Sequence, residues 1–300
     1  MNLRDLRYFA ILAETKHFGE AAKRCFVSQP TLSMQIKKLE EDLGVSLFER
    51  TNKQVFLTDQ GGALLPVAKK ILLLINELKE RAHSLNDPFA GDLHLGAIPT
   101  VAPYLLPLIM PSLKQEFPHL KIWLVEEQTQ RLIEKLEEGT LDAAIMADPI
   151  SGVFTRQSLF EEAFYFACAK THPLADLKSI SINELVGQEL LLLEEGHCLR
   201  EQAMAVCQMA QASNNVADFT ATSLETLRLM VQAGMGVTLL PALSVLTHSS
   251  DLLTCIPFHE PMPSRTLALF SRTSSPKNQC LHAMAQQIIK LNLLASLSNT

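Results

Sequence analysis

Apolar residues at Leu3, Leu6, Phe9, Ala10 and Ala13 recur every three to four positions, which predicts a helix over 2–13. A short helical piece follows at 18–25, and a second full helix is predicted over 27–44. In that helix Leu32, Ile36, Leu39 and Leu43 form one inward stripe, Ser28 is a natural N-cap, Pro30 suits the first turn and Gly44 ends it. Pro30, Thr31, Met34, Lys37 and Lys38 fall on the opposite face, with Ser33 and Gln35 on its flanks. Residues 47–58 read as strand, polar turn at Thr51–Lys53, and strand. From 59 to 87 one long helix is predicted, with Leu64, Ala68, Ile71, Ile75, Leu78, Ala82 and Leu85 stepping 4-3-4-3-4-3 in a heptad seam.

Two helices joined by a tight turn, the second polar on its free face, describe either a small bundle or a helix-turn-helix. The strand pair favours the latter as a wing that sets Arg50 and Lys53 against a phosphate backbone. The heptad seam fits a dimerising linker or a helix packed on its own domain, and a dimer would call for a pseudo-palindromic DNA site. The expected organisation is a winged helix-turn-helix over 1–58, a dimerising linker helix over 59–87 and a regulatory domain over 88–300.

After 92 the pattern changes to strand–helix alternation, the signature of parallel α/β structure. Strands are predicted at 93–98, 121–127 and 141–146, with helices at 99–117 and 129–139 between them. A second unit follows, with strands at 164–169, 189–193, 218–222 and 237–241, a helix after Cys198 and another over 223–236. The strand at 266–272 is expected to return to the first unit, before a final helix to about Leu294. Two lobes result: lobe I of about 91–163 plus 266–300, and lobe II of about 164–265. Ligands in such sheets sit at strand C-terminal ends, which here carry Pro99–Thr100, Gln128–Thr129 and Gly196–Cys198. From spacing alone the threonines serve equally well as caps.

Charge and composition alter this picture little. The formal net charge of -6 argues against a nucleic-acid binder in bulk, but residues 1–60 hold nine basic and eight acidic side chains, so a locally basic face is expected. The start, M-N-L-R-D-L-R, lacks an export signal, and apolar runs such as I-L-L-L-I at 71–75 are too short to span a bilayer. The expectation is a cytoplasmic, nucleoid-associated protein. The six cysteines show no metal-ligand spacing, so neither a metal nor a cofactor is expected. Cys25, Cys168, Cys255 and Cys280 read as small hydrophobes.

Cys198 and Cys207 differ. Cys198 follows L-L-L-L-E-E-G at a strand-to-helix turn, where the helix N-terminus, His197 and Arg200 favour the thiolate and Glu194, Glu195 and Glu201 oppose it. Such a thiolate can attack a peroxide O–O bond to give a sulfenic acid, and Cys207 is the nearest second thiol in sequence. Within one helix the two sulfurs stand about 13 Å apart along the axis and on opposite sides. A disulfide needs α-carbons within about 7 Å, so the pair bonds only if that helix unwinds.

The run V-S-Q-P-T-L-S-x-Q-I-K-K-L-E-x-x-L-G-V-x-L-F-E-R-T resembles the winged helix-turn-helix signature of LysR-type transcriptional regulators across essentially all of 1–60. The resemblance implies a recognition helix in the major groove, with Gln29, Pro30, Thr31, Ser33 and Gln35 near DNA. Met34 departs from the basic residue common there. It also implies subunit pairing through the linker and a two-lobed, periplasmic-binding-protein-like α/β regulatory domain. G-H-C-L-R-E-Q-A-M-x-x-C, together with I-P-T-V-x-P-Y-L-L-P and A-T-S-L-E-T-L-R, is similar to the peroxide-sensing members of that family. That likeness implies Cys198 as peroxidatic and Cys207 as resolving cysteine, joined by a redox-active disulfide. Thr100, Thr129, His197, Gln202 and Arg265 would line the hydrogen peroxide site. Thr100 and Thr129 would hold peroxide by hydrogen bonds, and Arg265 would polarise the leaving oxygen or steady the thiolate. It further implies an activator that is not an enzyme and works as a homodimer assembling to a homotetramer on double-stranded promoter DNA. RNA polymerase and a thiol-reducing system such as glutaredoxin or thioredoxin would be its other partners. The competing readings are a regulator of the same fold answering a small metabolite with structural cysteines, and a thiol peroxidase built on Cys198.

Overall fold

The structure is a computed structural model and describes residues 1–50, 55–85, 87–210, 216–248 and 250–298. It divides into two units, Met1–His83 and Ser84–Thr300.

In the first unit α1 (Leu3–Thr15) opens with a capping box between Asn2 and Asp5 and buries Leu6, Phe9 and Leu12. α2 (Phe18–Arg24) is capped by His17, whose ring nitrogen accepts from the Glu20 amide at 3.1 Å. α3 (Gln29–Leu43) is capped by Ser28, which accepts from the Thr31 amide at 3.3 Å, and ends at Gly44 with φ 71°. Leu32, Ile36 and Leu39 are fully buried, as the stripe predicts, but Leu43 is 37% exposed. It is the last residue of the helix, where the chain has already turned off the core.

β1 (Phe48–Arg50) and β2 (Val55–Leu57) form the antiparallel hairpin expected of a wing. Lys53 and the side chain of Arg50, both expected to meet phosphate, lie outside the described residues. α4 (Asp59–Ser84) divides the heptad seam in two. Leu64, Ala68 and Ile71 pack into the core of this unit, whereas Leu78 and Leu85 are 69% and 88% exposed.

In the second unit the order is β3 (Gly91–Ala97), α5 (Ala102–Glu116), β4 (Leu120–Glu126), α6 (Thr129–Glu137) and β5 (Ala143–Ala147), then β6 (Phe154–Ala169), β7 (Leu190–Leu193), α7 (Cys198–Met209), β8 (Val216–Ala221) and α8 (Leu224–Gln232), and finally β9 (Thr238–Pro241), α9 (Ala242–Thr247), β10 (Leu253–Pro257), β11 (Ser264–Arg272), α10 (Asn278–Lys290) and α11 (Leu293–Ser298). β3 pairs parallel with β4 and β5, and β7 with β8. The all-parallel expectation is corrected elsewhere: β11 runs antiparallel between β5 and β6, and β9 and β10 are antiparallel to β6. The sheet is therefore mixed. The long strand β6 is the reason, since it pairs with β11 through Ala163 and with β9 and β10 from Phe164 on. One strand thus crosses the whole unit, and the chain returns along it as β11.

Candidate redox site

β7 is buried at every residue, so its C-terminal end is fixed and the turn after it delivers Cys198 to the first position of α7. Gly196 makes that turn with φ 93°, and a Cβ there would stand 2.6 Å from Gln128 Oε1. Only glycine serves both the conformation and the contact. Three strand ends then converge on a tight cleft lined by Ile98, Pro99, Thr100, Gln128, Thr129, Gly196, His197 and Cys198.

Arg265 enters from β11 and is buried. Its Nη1 donates to Thr100 Oγ1 at 3.0 Å, Nη2 to the Thr100 carbonyl at 3.3 Å, and Nε to Glu162 Oε2 at 2.8 Å. Thr129 Oγ1, in the cleft, has no partner that meets hydrogen-bond geometry, and neither has the buried Gln202 Oε1, about one turn along α7 from Cys198. The Thr129 hydroxyl nonetheless lies close enough to the Cys198 sulfur to draw its pKa down. Orphaned buried polar atoms cost stability, so the Thr129 hydroxyl in a tight cleft marks a place for a small polar guest.

The electrostatics differ from the sequence expectation. Burial pushes the Cys198 thiol up, and Arg265 and then Thr129 pull it back only in part, while Glu201 opposes them. Arg200 does not supply the cation; its Nη1 donates to the Leu193 carbonyl at 2.7 Å. His197 is buried, and burial lowers its pKa against the pull of Glu194, whose Oε1 is 3.8 Å from Nε2. A neutral imidazole lends no charge to the sulfur. Burial thus favours the protonated thiol, and the buried guanidinium opposes it.

Cys207 lies on the same unbroken α7, buried against the core, with its pKa pushed up to about 11 by burial. Cys168 and Cys280 are pushed up to about 11 and Cys255 to about 12 by the same cause. The geometry thus brings Cys198, Thr100, Thr129, His197 and Arg265 together, leaves Gln202 further along α7, and holds Cys207 apart. Glu162 was not legible in the sequence, because 154–163 was not read as strand; once β6 is known, its register opposite Arg265 identifies it. In the first unit Gln29, Pro30 and Met34 are exposed on α3, with Thr31, Ser33 and Gln35 half-buried beside them. Among the described residues no group of three or more His, Cys, Asp or Glu is arranged to hold a metal.

Residues 3–62 match the model of the bacterial regulatory helix-turn-helix protein, lysR family, and residues 86–291 match that of the LysR substrate binding domain. The chain belongs to the LysR family. A LysR-family relative from Pectobacterium carotovorum, a hydrogen peroxide-inducible genes activator, is 48% identical over 278 residues, 92% of each chain. A full-length OxyR variant from Pseudomonas aeruginosa superposes with a TM-score of 0.77 at 38% identity, covering 96% of this chain and 94% of its own. A peroxide-bound OxyR cysteine mutant from Corynebacterium glutamicum gives 0.69 at 33% identity, covering 99% and 95%. Among LysR proteins this chain resembles OxyR.

Proposed function

We propose that the protein is a DNA-binding transcriptional regulator of the oxidative-stress response, switched by hydrogen peroxide at Cys198. The observation that carries the reading is the cleft itself. Thr100 and Thr129 line a tight cleft with Cys198, and the buried Arg265 guanidinium donates to Thr100. The cleft leaves no room for a metabolite-sized guest, and its polar lining favours a small polar one. Relatives named for hydrogen peroxide support the same choice.

In the proposed step the Cys198 sulfur, as thiolate, attacks one peroxide oxygen. The O–O bond breaks, and the departing hydroxide takes a proton and leaves as water, giving Cys198 sulfenic acid. Thr100 and Thr129 hold the peroxide, and Arg265 stabilises charge on the sulfur and then on the leaving oxygen. The Cys207 thiolate next attacks the Cys198 sulfur; the S–S bond forms, the S–O bond breaks, and a second water leaves. The two sulfurs together lose the two electrons that peroxide gains. A thiol-reducing partner such as glutaredoxin or thioredoxin returns them.

Within this reading residues 1–58 are the reading head, 59–87 the dimerising linker and 88–300 the regulatory domain of two lobes. Gln29, Pro30, Thr31, Ser33 and Gln35 face the major groove, with Arg50 and Lys53 on phosphate. The exposed half of the α4 seam pairs subunits, and homodimers assemble to a homotetramer on pseudo-palindromic promoter DNA in the cytoplasm, where the redox state controls RNA polymerase. The test is mass mapping after near-stoichiometric hydrogen peroxide, combined with DNA footprinting. A Cys198–Cys207 disulfide is expected, Cys198→Ser should abolish it, and Cys207→Ser should stop at the sulfenic acid. A peroxide-dependent footprint change surviving in Cys198→Ser would overturn the reading.

A further inference from the structure

Glu162 is buried with no exposed side-chain surface, on β6 directly opposite Arg265 of β11. Its two oxygens serve different donors. Oε2 accepts from Arg265 Nε at 2.8 Å, and Oε1 accepts from the Leu243 amide, in the first turn of α9, at 2.7 Å. The carboxylate is therefore fixed from one side by backbone and grips the guanidinium from the other. With Nε engaged, the remaining edge of the planar fork has one orientation, in which Nη1 and Nη2 meet the side chain and carbonyl of Thr100.

We propose that Glu162 is a positioning residue for the chemistry of Cys198: it aims the Arg265 guanidinium into the cleft and shares its positive charge with the sulfur. The inference rests on the function proposed above. The charged and titratable groups facing this cluster are Arg265 and Glu162 on the paired strands, Glu201 and His197 on the α7 side, and Tyr104 on α5. Among these groups Glu162 is the one that hydrogen-bonds the cation acting on the sulfur. Its carboxylate opposes the guanidinium charge as well as aiming it, so the cation acts on the sulfur at reduced strength. A glutamine cannot replace it, because its single oxygen leaves an NH₂ group facing one of the two donors.

The experiment uses the full chain in a Cys207→Ser background and follows Cys198 by mass spectrometry. E162Q removes the competing negative charge, so alkylation by iodoacetamide at pH 7 should be about tenfold faster, with its pH profile displaced to lower pH. Its oxidation by hydrogen peroxide should be at least tenfold slower, because the guanidinium, though its charge still reaches the sulfur, is no longer oriented on the leaving oxygen. A merely structural role would leave the alkylation profile in place. Since E162Q leaves a buried guanidinium without its counter-charge, E162D is measured beside it. That variant keeps the charge and both acceptors on a shorter arm, so its alkylation profile should stay put while peroxide oxidation slows several-fold. An unmoved profile in E162Q, or wild-type peroxide rates in either variant, overturns the proposal. If the parent itself fails to react with peroxide, the proposed function falls, while the alkylation arm still reads the Glu162–Arg265 pair.

Discussion

Thr129 occupies an uncomfortable position for a residue selected only for folding. Its hydroxyl is buried without a partner of good geometry, one methyl group away from being valine. Replacing a buried, unsatisfied hydroxyl by an isosteric methyl removes a desolvation penalty of about 1–3 kcal/mol. Thr129→Val should therefore raise the urea midpoint by an amount equivalent to about 1 kcal/mol, while slowing peroxide oxidation of Cys198 tenfold or more. A variant both less stable and fully reactive would sink the assignment of that hydroxyl to the guest. The buried thiols make a second prediction at this scale. Cys207 has its folded pKa raised to about 11, so the unfolded chain releases that proton first as pH climbs. Its contribution to stability is complete below the unfolded value near 8.5 and is lost as pH rises towards 11. Relative to Cys207→Ala, the wild type should lose up to about 3 kcal/mol in urea titrations between pH 8 and pH 11.

At the scale of elements, α7 carries the switch, because both cysteines lie on one helix and must leave it to meet. Anything that weakens the helix favours the disulfide. Ala205 is exposed in its interior, and Ala205→Gly should cost the helix about 1 kcal/mol. The dithiol–disulfide equilibrium should then move about fivefold towards the disulfide, roughly 20 mV more negative in a glutathione titration. This element was legible in advance, as were α1, α3 and α4, because helical periodicity is written in the apolar positions themselves. β6 was legible only from Phe164 on. Its first half carries Arg156, Glu161 and Glu162, and a buried carboxylate at a core position breaks the alternation by which strands are recognised. The same substitution of charge for hydrophobe that hid the strand made Glu162 part of the site. β10 and α9 were missed for a plainer reason: five and six residues are too few to show a period.

For the whole molecule, the exposed half of the α4 seam has the next consequence. Leu78 of that seam is 69% exposed on a helix whose earlier turns are covered by their own unit. If that stripe pairs subunits, Leu78→Glu should raise the dimer dissociation constant by tenfold or more in sedimentation equilibrium and weaken protection of a two-half-site DNA in proportion. A variant that remains dimeric would move the pairing surface elsewhere. Finally, the depth of Cys207 gives the molecule a sense of duration. Peroxide concentration sets how fast Cys198 is oxidised, but the next bond waits for α7 to open, an event whose frequency no oxidant changes. Above some dose the response stops quickening. A brief pulse leaves a sulfenic acid that passing thiols can reverse, and only an exposure outlasting the opening time is recorded.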